Sequence, residues 1–246
     1  MTHVTIGIIN YNLGRFLPDA VESALNQTHE ARVVVFDDAS DDPETKEVLL
    51  HLPKEVKLVR HAGNSGSAKW GWESLLRQPT DIIIPLSADD MLYPTAAERL
   101  AQVIPEDADW AFADLHHVGE DGQLDMGMNQ LHWMPTDTKQ QVRVMYEITG
   151  VSVTLFAGLS GKWVRDRKLR MHEFKHTKKF MDGATVMNWI LEKPRVVYLG
   201  ANPLYKYRQH GSSESATGGE ERPLIGQEVR DFLRPYINEE NRIPRG

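Results

Sequence analysis

The chain reads as an α/β protein with a mostly parallel central sheet flanked by helices, on three observations. Short apolar runs rich in β-branched residues recur at Val4 to Ile9, Val33 to Phe36 and Ile82 to Leu86, the pattern of strands covered on both faces. The segments between them change to helical spacing, and strands alternating with helices build parallel sheets. The length of 246 residues suits one such domain carrying a smaller elaboration.

The elements follow in order. Val4 to Ile9 is the first strand, Asn10-Tyr-Asn-Leu-Gly14 a loop, and Phe16 to Leu25 a helix with apolar residues at 16, 17, 20, 21, 24 and 25. Val33 to Phe36 is the second strand, and Pro43 to Leu50 the next helix, with proline in its first turn. Val56 to Val59 is a third strand, Gly63 to Ser67 a loop opening a helix through Leu76, and Asp81 to Leu86 a fourth strand. Trp110 to Ala113 is apolar, and Glu120-Asp-Gly122 is a hairpin turn. Beyond it, residues 123 to 138 have no clear period. Gln140 to Thr149 has helical spacing, Val151 to Phe156 and Val196 to Leu199 read as strands, Ser212 to Glu221 as a mobile loop, and Ile225 to Leu233 as a short helix.

Composition removes several classes of function. With no cysteine there is no disulfide, zinc thiolate or thiol nucleophile. A net charge of -7 argues against a general nucleic-acid binder, whose footprint is basic. No apolar run has the length to span a bilayer. The opening Met1-Thr-His-Val-Thr-Ile enters a strand without the regions of a secretory signal, so the expectation is a cytoplasmic protein, with peripheral membrane contact left open.

The chemistry concentrates at Ile82-Ile-Ile-Pro-Leu-Ser-Ala-Asp-Asp90, where an apolar strand delivers two adjacent carboxylates to its C-terminal end. In open α/β sheets ligands bind beyond those ends, and paired carboxylates there suit a hard divalent cation bridging to a diphosphate.

Four features line up in sequence: Asn10-Tyr11-Asn12, Asp37-Asp38-Ala-Ser40, Asn64-Ser-Gly66 and Asp89-Asp90. With the helix text Ala20 to Thr28, they resemble the nucleotide-binding half of family 2 glycosyltransferases of the GT-A fold, over roughly residues 3 to 100. The segment Val197 to Ser212, with Pro-Leu leading into Tyr-Arg-Gln-His-Gly-Ser, is similar to that family's late segment. Phe180-Met-Asp182 stands where such enzymes carry Glu-Asp ahead of a helix.

The resemblance implies an inverting, metal-dependent transferase moving a sugar from a nucleotide diphosphate donor, most simply a UDP-sugar, to a hydroxyl. It divides the chain into a nucleotide-sugar half (1–115), an acceptor and catalytic half (116–215) and a C-terminal loop and helix (216–246). Ile9, Tyr11, Asp38, Asn64, Lys69 and Asp89 are the expected nucleotide contacts. Tyr11 offers a ring to stack on the base, and Asp38 an acceptor for a base N–H. Asp90 and His210 are the expected ligands of Mn2+ or Mg2+, and Arg208 and Ser212 the expected phosphate contacts. Asp182 is the expected base that deprotonates the acceptor. The acceptor is a glycan, a lipid-linked sugar or another hydroxyl compound; a nucleic-acid acceptor rests only on the local basic run.

Ser87 stands where the family carries the first acid of Asp-x-Asp, and Met181 replaces the usual Glu beside the base. These departures keep open a non-catalytic sugar-nucleotide binding module. A sugar nucleotidyltransferase is a further alternative, although Asn10 to Gly14 is a poor triphosphate loop. Each residue also has an ordinary reading: Tyr11 as a strand-edge aromatic, Asp37 and Asp38 as caps for the helix at Pro43, Asp182 as an N-cap, and His210 as a surface or hydrogen-bonded histidine. The basic run Lys162 to Lys179 reads either as a solvated loop or as a lid over the diphosphate or an anionic acceptor.

Overall fold

The computed structural model describes residues 2–123, 128–129, 136–137, 140, 158–172, 185, 189–213 and 222–237. Eleven strands and six α-helices are present among them: β1 (Val4–Asn10), α1 (Leu17–Leu25), β2 (Ala31–Asp37), α2 (Pro43–Leu50), β3 (Lys57–Arg60), α3 (Lys69–Leu76), β4 (Ile82–Ser87) and β5 (Met91–Leu92). Then follow α4 (Ala96–Asp107), β6 (Trp110–Phe112), β7 (Leu115–Val118), β8 (Met128–Asn129), β9 (Gly158–Ser160), α5 (Gly161–Arg167), β10 (Val196–Tyr198), β11 (Tyr205–Arg208) and α6 (Arg222–Leu233). The expected α/β architecture, a mostly parallel central sheet with a smaller elaboration, is what the chain adopts.

The main sheet has seven strands in the order β10-β6-β9-β4-β1-β2-β3. Only β9 runs antiparallel, between β4 and β6. A second sheet, β5-β11-β7-β8, carries the elaboration. The strand order reverses direction at β1, with β2 on one side and β4 on the other. A crevice opens at such a switch point beyond the strand C-termini. Register puts Asn10 opposite Asp37 and Ile9 opposite Ser87, so the polar ends of three strands meet along one edge.

The strands form because their side chains have nowhere else to go. Ile6, Ile8, Val34, Val35 and Ile82 to Ile84 are fully buried, and each contributes roughly 1.5–3 kcal/mol by leaving water. Pro85 sits inside this central strand, a position that normally excludes proline. It is accommodated because β9 pairs only with Ile82 and Ile83, leaving off before the residue that lacks an N–H. Helix α2 starts where expected, capped by Asp42, whose Oδ2 accepts from the Thr45 N–H at 2.7 Å.

Several features depart from the sequence reading, the short strands β5, β7 and β9 among them. Helix α4 was not signalled by the residues singled out, and Leu25 is half-exposed rather than core. The basic segment from Lys162 is not a loop at its start: Ser160 Oγ accepts from the Trp163 N–H at 3.3 Å and opens α5, which buries Trp163 and Val164. The helix expected at 140–149, the strand at 151–156 and most of the 212–221 loop lie outside the described residues. Among the described residues no helix is long and apolar enough to cross a membrane.

Gly7 allows α3 to seat directly on β1. A Cβ there would stand 2.4 Å from Leu75 Cδ1, a fully buried side chain with no room to retreat. Gly7→Ala is therefore expected to destabilise the fold by about 1–3 kcal/mol, read as a lowered urea midpoint with an unchanged slope; an unchanged midpoint would show that α3 is not fixed by this contact.

Candidate active site

The rim above β1, β2 and β4 is built from side chains that hold one another. Asp37 is fully buried and accepts from Asn10 Nδ2 at 2.7 Å and from Ser40 N–H at 3.1 Å, while Arg60 Nε approaches its other side at 3.1 Å. It latches β1 to β2 and does not cap α2, the role that Asp42 takes. Asp38, next in sequence, faces the loop after β3. His61 Nδ1 lies 3.0 Å from its Oδ1, the Ser65 hydroxyl donates to Oδ2 at 2.8 Å, and the Ser65 N–H bridges both oxygens at 3.1 Å. Base recognition by Asp38 thus requires Ser65 to yield a place. His61 in turn stacks on Trp70, with ring centroids 4.5 Å apart and planes 17° off parallel.

The other expected nucleotide contacts distribute around this loop. Tyr11 is 41% exposed at the end of β1, free to offer its ring face. Asn64 folds its Oδ1 back onto the Gly66 N–H at 2.5 Å, an Asx turn that shapes the loop. Lys69 opens α3, and Ile9 lies beneath that helix with its carbonyl accepting from the Ala88 N–H at 3.1 Å.

The two adjacent carboxylates part company. Asp90 turns inward and is buried, and its Oδ1 accepts from the Arg208 N–H at 2.8 Å, with the Tyr205 hydroxyl as a further partner. Burial first, and then the charge of Asp89, hold its carboxyl well above the ordinary carboxylate range, against the Arg208 N–H and the Tyr205 hydroxyl, which pull it down. Asp89 keeps its side chain partly exposed. Its Oδ2 lies 3.0 Å from His210 Nε2, and its Oδ1 is buried with no hydrogen-bond partner among the described residues. Asp90, expected as a metal ligand, meets protein donors inside the fold, and Asp89 is the carboxylate with an oxygen left unpartnered among the described residues.

Arg208 also departs from expectation. Its guanidinium is 2% exposed and fully committed: Nε donates to the Asp89 carbonyl at 2.8 Å, Nη1 to the Glu120 carbonyl at 2.6 Å and Nη2 to Asp19 Oδ2 at 2.5 Å. It also lies over the Phe16 ring, 5.0 Å from the centroid. The predicted phosphate contact is instead a clamp joining α1, the β4 end, the turn after β7 and β11. Ser212 Oγ sits 2.9 Å from His210 Nδ1 and orients that ring, which also packs 4.5 Å from Phe16. Asp182, the expected base, lies outside the described residues.

Several of these residues were not found in the sequence. Asp19 carried the signal of an acid in a first helical turn, which the helix dipole alone explains. Tyr205, His61 and Ser65 follow or flank strand ends, but their partners are far away in sequence and no local pattern marks them.

A mostly parallel sheet with its switch point at β1, and a second small sheet whose late strand leads to a histidine beside Asp89, is a GT-A-like layout. The model of glycosyl transferase family 2 matches residues 5–167, and the chain belongs to that family. Glycosyltransferase GlyG of Streptococcus pneumoniae is 22% identical over 222 residues, covering 85% of this chain and 72% of the relative. An uncharacterized glycosyltransferase of Nostoc sp. is 28% identical over 138 residues, 52% of this chain and 41% of that protein. Among solved structures, S. aureus TarS in complex with UDP superposes with a TM-score of 0.64 at 18% identity, over 86% of this chain and 61% of that one. A mannosyltransferase from Pyrobaculum calidifontis, in complex with GDP-Man and Mn2+, gives 0.56 at 14% identity, over 96% and 65%. At these identities the structural likeness shows the fold. The chain spans less than two thirds of the Nostoc relative and of the TarS chain.

The raised carboxyl of Asp90 has a measurable consequence. A folded-state pKa above the unfolded value means that stability is fully present below the ordinary value of 3.8 and is lost as pH rises through the folded pKa. Asp90→Asn removes this dependence. Urea melts in EDTA should show the stability of the wild type falling relative to the variant as pH rises from about 4; parallel profiles would contradict the burial of an ionisable carboxyl here.

Proposed function

We propose that the chain transfers a sugar, with inversion, from a nucleotide diphosphate donor to an acceptor hydroxyl, using a divalent cation held by Asp89 and His210. The observation that carries this reading is the orphaned Asp89 Oδ1 beside the Asp89–His210 pair. A buried carboxylate oxygen without a partner is costly unless something meets it. Asp89 Oδ2 and His210 Nε2, 3.0 Å apart, are an oxygen and a nitrogen that would both suit such a cation. Among the described residues no group of three or more His, Asp or Glu forms a complete cage. Two ligands from the described residues would leave further coordination positions for the diphosphate and water, the usual arrangement for Mg2+ at phosphates.

A cation bound there offsets the charge of the departing diphosphate. The chain's own residues do the positioning. Tyr11 supplies a stacking face for the base, and Asp38 an acceptor that a base N–H shares with Ser65. Ser212 fixes the His210 ring. Asp182 takes the acceptor proton as its oxygen attacks the anomeric carbon from the face opposite the nucleotide, and one displacement inverts that centre. A uridine donor is favoured because TarS structures hold UDP and UDP-GlcNAc, while the manganese in the mannosyltransferase complex supports the cation.

Calorimetry separates the two carboxylates. In the wild type and in Asp90→Asn, Mn2+ is expected to tighten UDP binding at least tenfold, and in Asp89→Asn that gain should vanish. Equal UDP affinity with Mn2+ and with EDTA in the wild type would overturn the metal-dependent reading. Full transfer by Asp182→Asn to a verified acceptor would remove the proposed base.

A further inference from the structure

The first part of the basic run, Lys162 to Arg170, lies at the wrong end of the sheet to act as a lid. Ser160 pairs with Ile82 at the N-terminal end of β4, and the Gly161 N–H donates to the Asp81 carbonyl at 2.8 Å. The carboxylates stand beyond the other end of that six-residue strand, about 17 Å away along β4 at 3.3 Å per residue. These cations therefore serve something other than the donor diphosphate.

Between the C-terminal ends of α3 and α5 is a cleft of about 310 Å³, within the size range of small-ligand pockets. Arg77, Arg165, Lys168 and Arg170 line it against a single carboxylate, Glu73, in a protein whose net charge is -7. Glu73 is already paired with Arg77 at 2.7 Å. Arg165 holds the Thr80 carbonyl through Nη1 at 2.8 Å and keeps its remaining N–H groups. Lys168 and Arg170 have no ion-pair partner among the described residues.

Helix dipoles account for only part of this. A cation in the last turn of α5 is favoured by the carbonyls there, which covers Arg165 and Arg167. Arg170 lies beyond the helix altogether. Lys168 occupies the left-handed position that ends α5, with φ 53°, where glycine or asparagine is the ordinary residue. A lysine there carries a backbone strain that glycine would relieve. Local propensity points away from a lysine at this position, and residues that break a local rule without a structural gain mark functional positions.

We propose that this cleft is a second site, remote from the donor edge, that binds a phosphate oxyanion: a free phosphate compound or the phosphate of a lipid headgroup. Guanidinium groups suit it because their N–H forks engage two phosphate oxygens at once. The site stands independently of the transferase reading, since none of its residues lies at the donor edge.

The test uses the full chain and the double variant Lys168→Gly with Arg170→Gln. Glycine relieves the strained φ, and Arg170 contributes to the fold only through its carbonyl, which accepts from Trp189 Nε1 at 2.9 Å, so the variant is expected to melt no lower than the wild type. Calorimetric titration with pyrophosphate at low salt in EDTA should show binding by the wild type that weakens at least tenfold in the variant, while affinity for UDP with Mn2+ stays the same. Co-sedimentation with phosphatidylglycerol vesicles, against phosphatidylcholine alone, then identifies the source. Retention that the variant loses assigns a headgroup, and pyrophosphate binding without retention assigns a soluble phosphate. Binding of neither probe by the wild type, equal binding by the variant, or parallel loss of UDP affinity would overturn the proposal.

Discussion

The rim of this protein depends on one buried contact, the Asp90 carboxylate accepting the Arg208 N–H across a separation of 118 residues. It ties the end of the main sheet to the late strand of the small one. Asp89 precedes Asp90 directly and His210 follows Arg208 by two residues, so fixing the inner pair sets the outer pair. Arg208 repeats the tie through its side chain, which reaches the Asp89 carbonyl, the Glu120 carbonyl and Asp19. A guanidinium so deeply buried is tolerable because each of its three nitrogens meets an acceptor. The Asp89–His210 pair is thus held in place by neighbours on two different sheets.

The same arrangement explains why a two-residue acidic motif carries two different jobs. Asp89 and Asp90 lie in the turn after β4, where the Asp90 N–H donates to the Ser87 carbonyl at 3.1 Å, and this turn sends the two side chains to different partners. Asp90 is tolerated in the interior because a backbone N–H and a tyrosine hydroxyl meet it. Asp89 lies beside a histidine that a serine and a phenylalanine hold in place.

Much of this was legible in the residues. Helix α2 was read with its observed bounds, and β1, β2 and β4 within two residues, because apolar runs ending in Asn10, Asp37 and Ser87 carry both the period and the stop signal. The ordered motifs also brought Tyr11, Asp38, Asp89 and His210 to one edge of the sheet. Which of Asp89 and Asp90 faces outward was not legible, since that is decided by Arg208 and Tyr205, more than a hundred residues away. The same long-range dependence hid the true role of Arg208: next to a histidine and two serines, a guanidinium looks like a phosphate ligand until its acceptors appear. Helix α5 was masked differently. Its charged face dominated the text of residues 162–170, while the stripe of Trp163 and Val164 beneath it was too short to show a period.

The central claim is that Asp89 and His210 close on one cation with the donor diphosphate. Pulsed electron paramagnetic resonance of Mn2+ with UDP and the wild-type protein tests it directly, because a ligating imidazole imprints nitrogen coupling on the manganese signal. The account predicts a single directly bound histidine nitrogen that disappears in His210→Gln. A manganese signal with no nitrogen coupling, or one that persists unchanged in that variant, would contradict it.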